Sequence, residues 1–297
     1  MAHAARLPYG AAMPALCILS PDPAHPEYAA MWPAQRAILD AALATAGIVP
    51  DYAPWTGNAA LAGFDLVLPL LAWGYHDAPA AWLAQIDRWE GVGVRLANPA
   101  AVLRWNHEKT YLPALEARGA PVVPSVFAAR AGPGLLEAAR ARFGEGPLVA
   151  KPSISAGAHG VVVLQPGEAL PAGALGRPML VQPLLPAIAA EGEYSLFWFG
   201  GAFSHAILKI PRAGDFRVQV QHGGREIPAT PPAAAMAAAA TVLALIDEPL
   251  LYARVDLVGD GAGYVLMELE LIEPQLFLEH AADGGAAFAR AIRAHTA

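Results

Sequence analysis

The sequence predicts a mixed α and β protein in which a small α/β domain precedes two further regions of strands and helices. Three observations carry this reading. Short apolar runs alternate with helix-period segments over the first 97 residues, the pattern of a sheet with helices on its faces. Four strand-like segments then crowd the last third of the chain, with one alanine-rich helical stretch among them. The length of 297 residues, 56% hydrophobic and 15% charged, suits about two domains with a sizeable core and excludes a disordered chain.

The elements follow in order. Residues 16–19 read as a short buried strand and 28–46 as a helix stopped by Gly47. The continuous apolar run 64–71 fits a parallel strand covered on both faces, and 80–89 a second helix. A new region begins at Asn98-Pro99. There, 100–119 reads as one helix ending at Gly119, 134–143 as another, and 147–152 as a strand ending in Lys151-Pro152. A turn of small residues (153–160) leads to a strand at 161–164. The last region starts near Met179 and carries strands at 194–199, 204–210, 252–258 and 264–271, with a helix over 232–246. The expected domains are therefore 1–97, 98–181 and 182–297. No repeat of 20–50 residues is found.

Composition excludes several classes. The longest apolar run, near 233–246, is mostly alanine and shorter than the roughly 20 residues a membrane span needs. No signal-type apolar core follows Arg6, so a cytoplasmic location is expected. A net charge of −7 argues against nucleic acid and anionic membrane as partners. The single cysteine, Cys17, excludes a disulfide framework and reads as a small buried hydrophobe.

The strongest chemical signal is Arg254-Val255-Asp256 on one strand and Glu268-Leu269-Glu270 on the next. Residues two apart on a strand share a face. If the strands pair, three carboxylates meet beside an arginine. Like charges so close repel unless a cation intervenes, and Mg²⁺ takes such oxygens together with phosphates and waters. The competing reading is a polar sheet face, which would be poorly stabilised by three acids without interleaved lysine. A second signal is Lys151 ahead of the small-residue turn 153–160, whose backbone N–H groups can wrap phosphate oxygens; an ordinary hairpin turn is the alternative. Lys109, Lys151 and Lys209 are the chain's only lysines. Third, Lys209 and Arg217 suit a clamp on a polyphosphate, with His205 on the Lys209 face or serving only as a structural hydrogen bonder. Fourth, the 181–185 strand end and Glu191-Gly192-Glu193 suit an adenine-holding linker or a plain interdomain connection.

Taken together these residues resemble the ATP-grasp superfamily, over roughly two thirds of the chain from Asn98 onward. That resemblance implies an α+β class fold, two ATP-grasp lobes holding ATP between them, here preceded by the α/β domain. It implies phosphate contacts from Lys109 and Lys151, a phosphate lid with Ser153, Ser155 and Gly157, and adenine contacts from Gln182 and Leu185. Glu193 would take the ribose hydroxyls. Lys209, Arg217 and Arg254 would face the triphosphate and an acyl phosphate as the catalytic set, and Asp256, Glu268 and Glu270 would hold Mg²⁺ or Mn²⁺.

Within the superfamily the chain is similar to the cycloserine-forming O-ureido-serine cyclo-ligase group. The likeness rests on Asn98-Pro99, Arg104-Trp105-Asn106, Lys109, 192–196, Ser204-His205, 214–219 and Glu268-Leu269-Glu270-Leu271-Ile272-Glu273-Pro274. Many ATP-grasp ligases carry asparagine where this chain and this group have Glu270. The group's Arg-Ser-x-Trp-Asp-Tyr stretch is replaced by Leu70-Leu71-Ala72-Trp73-Gly74-Tyr75-His76, on the substrate side in related folds. The implied activity is an ATP- and Mg²⁺-dependent ligase. It would activate an amino-acid-like carboxylate as an acyl phosphate for attack by nitrogen, within one molecule or between two. A nucleotide-binding protein without ligase chemistry and a plain interaction protein are the competing classes. A monomer or homodimer is expected.

Overall fold

The structure is a computed structural model that describes residues 13–214, 217–218 and 223–297. Residues 1–12, which include the N-terminal segment read as lacking a signal-type core, and Asp215, Phe216 and Gln219 of the 214–219 motif, lie outside the described residues. Three sheets organise the chain.

The first is parallel, in order β2-β1-β3, from β1 (Leu16–Ser20), β2 (Asp51–Pro54) and β3 (Leu66–Leu68). Its helices are α1 (Pro26–Ala44) and α2 (Pro79–Gly91), each with proline in its first turn, where no N–H is needed. Side chains of β1 alternate. Leu16 and Ile18 join the core beneath α1, while Cys17 and Leu19 join the core beneath α2. Cys17 is fully buried, as its apolar neighbours suggest. The expected strand at 64–71 shortens to three residues, and the segment after β3 turns away toward the cleft described below.

The expected single helix over 100–119 is two, α3 (Ala100–Asn106) and α4 (Tyr111–Ala117). The cause is Pro113. Its ring would clash with the carbonyl four residues back, so the helix restarts to place it in a first turn. The break at 107–110 puts the Lys109 backbone N–H on the carbonyl of Ser153, 2.7 Å away.

The second sheet is antiparallel, in order β4-β7-β5-β6. It comprises β4 (Val126–Ala128), β5 (Leu148–Pro152), β6 (Val162–Leu164) and β7 (Met179–Pro183), backed by α5 (Pro133–Phe143). The strand β7 straddles the 181/182 division expected from sequence. After it comes the short helix α6 (Ala187–Ala190).

The third sheet is antiparallel, in order β10-β9-β8-β11-β12. Its strands are β8 (Glu193–Phe199), β9 (Ala202–Ile210), β10 (Arg225–Pro228), β11 (Tyr252–Gly259) and β12 (Tyr264–Glu270). Gly200 and Gly201, at φ +56° and +80°, make the tight β8–β9 turn that demands positive φ at both positions. The alanine-rich helix α7 (Ala233–Leu243) lays Ala235, Ala238, Ala239 and Val242 on this sheet; small side chains permit the close approach.

Helices α3 and α4 also pack here, through Val102, Tyr111, Leu112 and Leu115. The reason is the free edge of β12. Asn106 accepts from the Leu271 N–H and donates to the Leu269 carbonyl, each at 2.9 Å. The Leu269 N–H donates to the Tyr111 hydroxyl at 3.1 Å. An uncovered strand edge is thereby closed. The last helix, α8 (Ala286–Thr296), returns to pack Phe288 and Ile292 into the core shared with α1.

Candidate active site

A cleft of about 370 Å³ is lined by residues of the second and third sheets, with Trp73 and Tyr75 of the segment after β3 also in its lining. Register decides who meets in it. Arg254 pairs with Glu270 and Asp256 with Glu268 across β11 and β12, so all four share a face. On the other side of β11, Asp256 opposes Ser195 of β8; further along, Glu193 of β8 opposes Lys209 of β9.

Asp256, 2% exposed, is held by Arg254 at 2.9 Å, by the Ser195 hydroxyl at 2.6 Å and by Lys209 at 3.5 Å. Burial pushes its carboxyl up, but Arg254 and Lys209 outweigh that and hold it below the usual range. Arg254 also ion-pairs with Glu270. Lys209 bonds Glu193 at 3.2 Å. Burial and Arg254 pull Lys209 down, yet Asp256, Glu193 and Glu270 leave it raised. Burial raises Glu193 despite Lys209. Glu270 is pushed up to about 7, chiefly by burial, with Asp256 and Glu268 adding against Arg254.

Lys109 bridges the 153–160 turn and the acids. Its ammonium donates to the Ser155 carbonyl at 2.7 Å and pairs with Glu268 at 3.0 Å. Burial raises Glu268, but Lys109 and Lys151 bring it below its ordinary value. Lys151, 6% exposed, lines the cleft with no ion pair among the described residues. Burial lowers it to about 8, which Glu268 resists and Lys109 reinforces. In the lid, Gly157 and Gly160 take positive φ (58° and 72°), and a side chain at Gly160 would meet Pro152 at 2.9 Å.

Lys109, Lys151, Ser155, Gly157, Gln182, Leu185, Glu193, Lys209, Arg217, Arg254, Asp256, Glu268 and Glu270 all line this one cleft. Ser153 does not. It is buried, and its hydroxyl donates to Glu108 at 2.6 Å, a support beneath the lid. Gln182 donates to the Ser125 hydroxyl at 2.8 Å, and Leu185 packs with Ile188 and Val218 in an apolar slot. His205 takes its structural reading. It stacks on Phe197 at 4.4 Å and contacts the Leu276 carbonyl at 3.0 Å, outside the cleft lining. Sequence reasoning gave no role to Ser195 or Glu108; each becomes visible only as the partner of a predicted residue. Glu273, noted only within a motif, also lines the cleft, as does Glu226.

The donor set suits a hard cation, since it is carboxylate oxygen throughout. Among the described residues no three acids or histidines form a ready-made cage. Glu268 and Glu270 are the part-exposed pair facing the cleft, whereas Asp256 is saturated by its cations. That matches Mg²⁺, which binds through one or two carboxylates and the phosphates of its substrate.

The architecture is shared with D-alanine–D-alanine ligase from Bacillus anthracis complexed with ATP. The TM-score is 0.67 at 13% identity, over 96% of this chain and 97% of that one, a likeness of fold. The crystal structure of D-cycloserine synthetase DcsG matches at TM-score 0.82 and 26% identity, over 95% of this chain and 99% of that one. Fold and site together define an ATP-grasp ligase, an ATP-dependent enzyme that forms C–N bonds. In sequence, the cycloserine biosynthesis protein DcsG of Streptomyces lavendulae is 34% identical over 273 residues, 84% of this chain and 89% of that protein. The family described as D-cycloserine synthetase DcsG, N-terminal domain, matches residues 17–98. The chain belongs to the DcsG family. No helix among the described residues is long and apolar enough to cross a membrane.

Proposed function

We propose that this chain is an ATP- and Mg²⁺-dependent cyclo-ligase acting on a small amino-acid-like substrate such as O-ureido-D-serine. One observation supports it above others: buried Arg254 lies between Asp256 and Glu270, beside Lys209, in the cleft that Lys109 and Lys151 enter. A substrate carboxylate would attack the γ-phosphorus, and ADP would leave. A nitrogen of the same molecule would then attack the acyl carbon, expelling phosphate and losing its proton. Little covalent chemistry falls to the protein in phosphoryl transfer; it positions groups and neutralises charge.

Lys109, Lys151 and the lid residues Ser155 and Gly157 would hold the phosphates, with Ser153 bracing the lid. Gln182 and Leu185 would bound the adenine, and Glu193 would take the ribose hydroxyls. Lys209, Arg217 and Arg254 would face the transferring phosphoryl group. Glu268 and Glu270 would hold Mg²⁺, with Asp256 joining only by yielding a cation it now binds. The ion would neutralise charge on the phosphates.

An intermolecular ligase of glutathione-synthetase type is the second reading. It is favoured by segment 70–76, which lacks the arginine and aspartate of the cyclo-ligase stretch. The deciding experiment measures ADP release with O-ureido-D-serine and identifies the product. Cycloserine supports cyclisation, a dipeptide-like amide supports the second reading, and ATP binding without ADP release on any amino acid overturns both. Asp256→Asn and Glu268→Gln are expected to abolish substrate-dependent ADP release in folded protein.

A further inference from the structure

Each of the four acids that β8, β11 and β12 bring to the cleft is already paired with a cation. Asp256 holds Arg254 at 2.9 Å and Lys209 at 3.5 Å, Glu193 holds Lys209 at 3.2 Å, and Glu270 pairs with Arg254. These pairs lie within the third sheet. Glu268 differs, because its partner at 3.0 Å is Lys109, which comes from the break between α3 and α4.

The Lys109 ammonium is fully engaged. Its three donors have three oxygens in reach: the Ser155 carbonyl at 2.7 Å, the Ser155 hydroxyl at 3.4 Å and Glu268 at 3.0 Å. A phosphate oxygen can reach it only by displacing one of these. The Ser155 side is anchored, since the Lys109 backbone N–H donates to the Ser153 carbonyl at 2.7 Å and the Ser153 hydroxyl donates to Glu108 at 2.6 Å. Glu268, 31% exposed at its side chain, is the partner that can be given up. The converse also holds. A divalent cation on Glu268 would stand beside a fixed ammonium, and like charges at such separations repel strongly away from bulk water. Ammonium and metal therefore exclude one another on this carboxylate.

We infer that Lys109 gates the acid pair: in the free chain its ammonium occupies Glu268 and keeps divalent cations off it, and it releases Glu268 on transferring to a nucleotide phosphate. The metal thus enters with the nucleotide or after it, and not before. Lys151 has no such role, having no ion pair among the described residues to exchange. The inference deepens the ligase reading and rests on it for the nucleotide, whereas the block at Glu268 stands on the geometry of the free chain.

The test uses Mn²⁺ as the probe ion on the full chain without nucleotide, with free Mn²⁺ counted by electron paramagnetic resonance. Lys109→Met is expected to bind Mn²⁺ at least tenfold more tightly than wild type, because Glu268 is left without its ammonium. Adding Glu268→Gln to Lys109→Met should abolish that gain. Lys109→Arg, which keeps a cation in place, should not produce it, and Lys151→Met should produce a smaller one. Circular dichroism checks that each variant is folded. Glu268→Gln alone should leave nucleotide-free Mn²⁺ affinity within threefold of wild type, a comparison that decides even where Lys109→Met does not fold. Unchanged Mn²⁺ affinity in folded Lys109→Met overturns the gate. So does an equal gain in Lys151→Met, a gain that survives Glu268→Gln, or a larger loss in Glu268→Gln alone. ADP binding by the wild-type chain is followed by calorimetry in the same preparations. Its absence removes the ligase reading, while the nucleotide-free Mn²⁺ comparison still decides the block at Glu268.

Discussion

Lys151 shows how one residue can serve the site at the expense of the fold. It is buried at the end of β5, lowered to about 8 by desolvation, and has no carboxylate partner at ion-pair distance among the described residues. Bound phosphate would supply the missing counter-charge. Affinity for ATP is therefore expected to fall as pH rises through about 8, because the ammonium is present below that value and lost above it. Nucleotide titrations from pH 7 to 9.5 check this, and Lys151→Arg, which keeps its charge, should flatten the profile. Lys151→Met should raise the melting temperature while abolishing ATP binding, since it exchanges an uncompensated buried charge for apolar surface. A lower melting temperature would contradict this account of the site's cost.

At the scale of elements, the asparagines of the sequence motif prove to be clamps. Asn98 donates to the carbonyls of Tyr252 and Leu271, each at 2.9 Å, and accepts from the Leu251 N–H at 2.8 Å. It ties the start of β11 to the chain leaving β12, the two strands that carry Arg254, Asp256, Glu268 and Glu270. Asn98→Ala would leave three buried backbone groups unsatisfied. It should cost about 2–4 kcal/mol in urea unfolding, on the scale of one to three such groups. Gly192 is a second such point. Its φ is +92°, and a Cβ there would lie 2.5 Å from the Lys209 carbonyl oxygen. Gly192→Ala is thus expected to separate Glu193 from Lys209 and raise the KM for ATP, while Gly91→Ala, in open space on α2, leaves it unchanged.

Legibility in the sequence also differs by element. Strands with long apolar runs, such as β8, β11 and β12, and the helix α7 declare themselves by periodicity and composition. The strands β2, β4 and β10 do not, because three or four residues carry too little pattern to stand out from a loop. Helix α8 escaped notice although its apolar positions recur at helical spacing. The split between α3 and α4 was readable in Pro113 and was missed because the apolar period continues across the break.

For the whole molecule, the three sheets do not stand as independent units. One core joins Leu16 and Ile18 of β1 and Leu43 of α1 to Phe197, Phe199 and Tyr252 of the third sheet and to Phe288 and Ile292 of α8. A fragment beginning at Asn98 would expose that surface and should be insoluble or molten, whereas the full chain unfolds cooperatively; limited proteolysis and near-UV dichroism distinguish the two. ATP with Mg²⁺ at about 100 times its Kd should stabilise the full chain by about 2.7 kcal/mol, read as a thermal shift. Asp256→Asn should abolish most of that shift if the acids and cations act as one network.

Low charge content sharpened the sequence reading. With only 15% of residues charged and three lysines in all, charged residues inside apolar strands stood out, and it is on these residues that the resemblance to the ATP-grasp superfamily rests. That follows from the physics of burial, since a charge placed among core residues needs a partner or a ligand. Which charges meet was decided by the fold alone. Strand register set Asp256 opposite Glu268 and Ser195, while the break between α3 and α4 and the end of β5 brought Lys109 and Lys151 to Glu268. The placement of Ser153 beneath the 153–160 turn likewise depends on a contact between residues 45 positions apart, its bond to Glu108. No local pattern encodes such contacts, because they arise only when separate elements close on a common core.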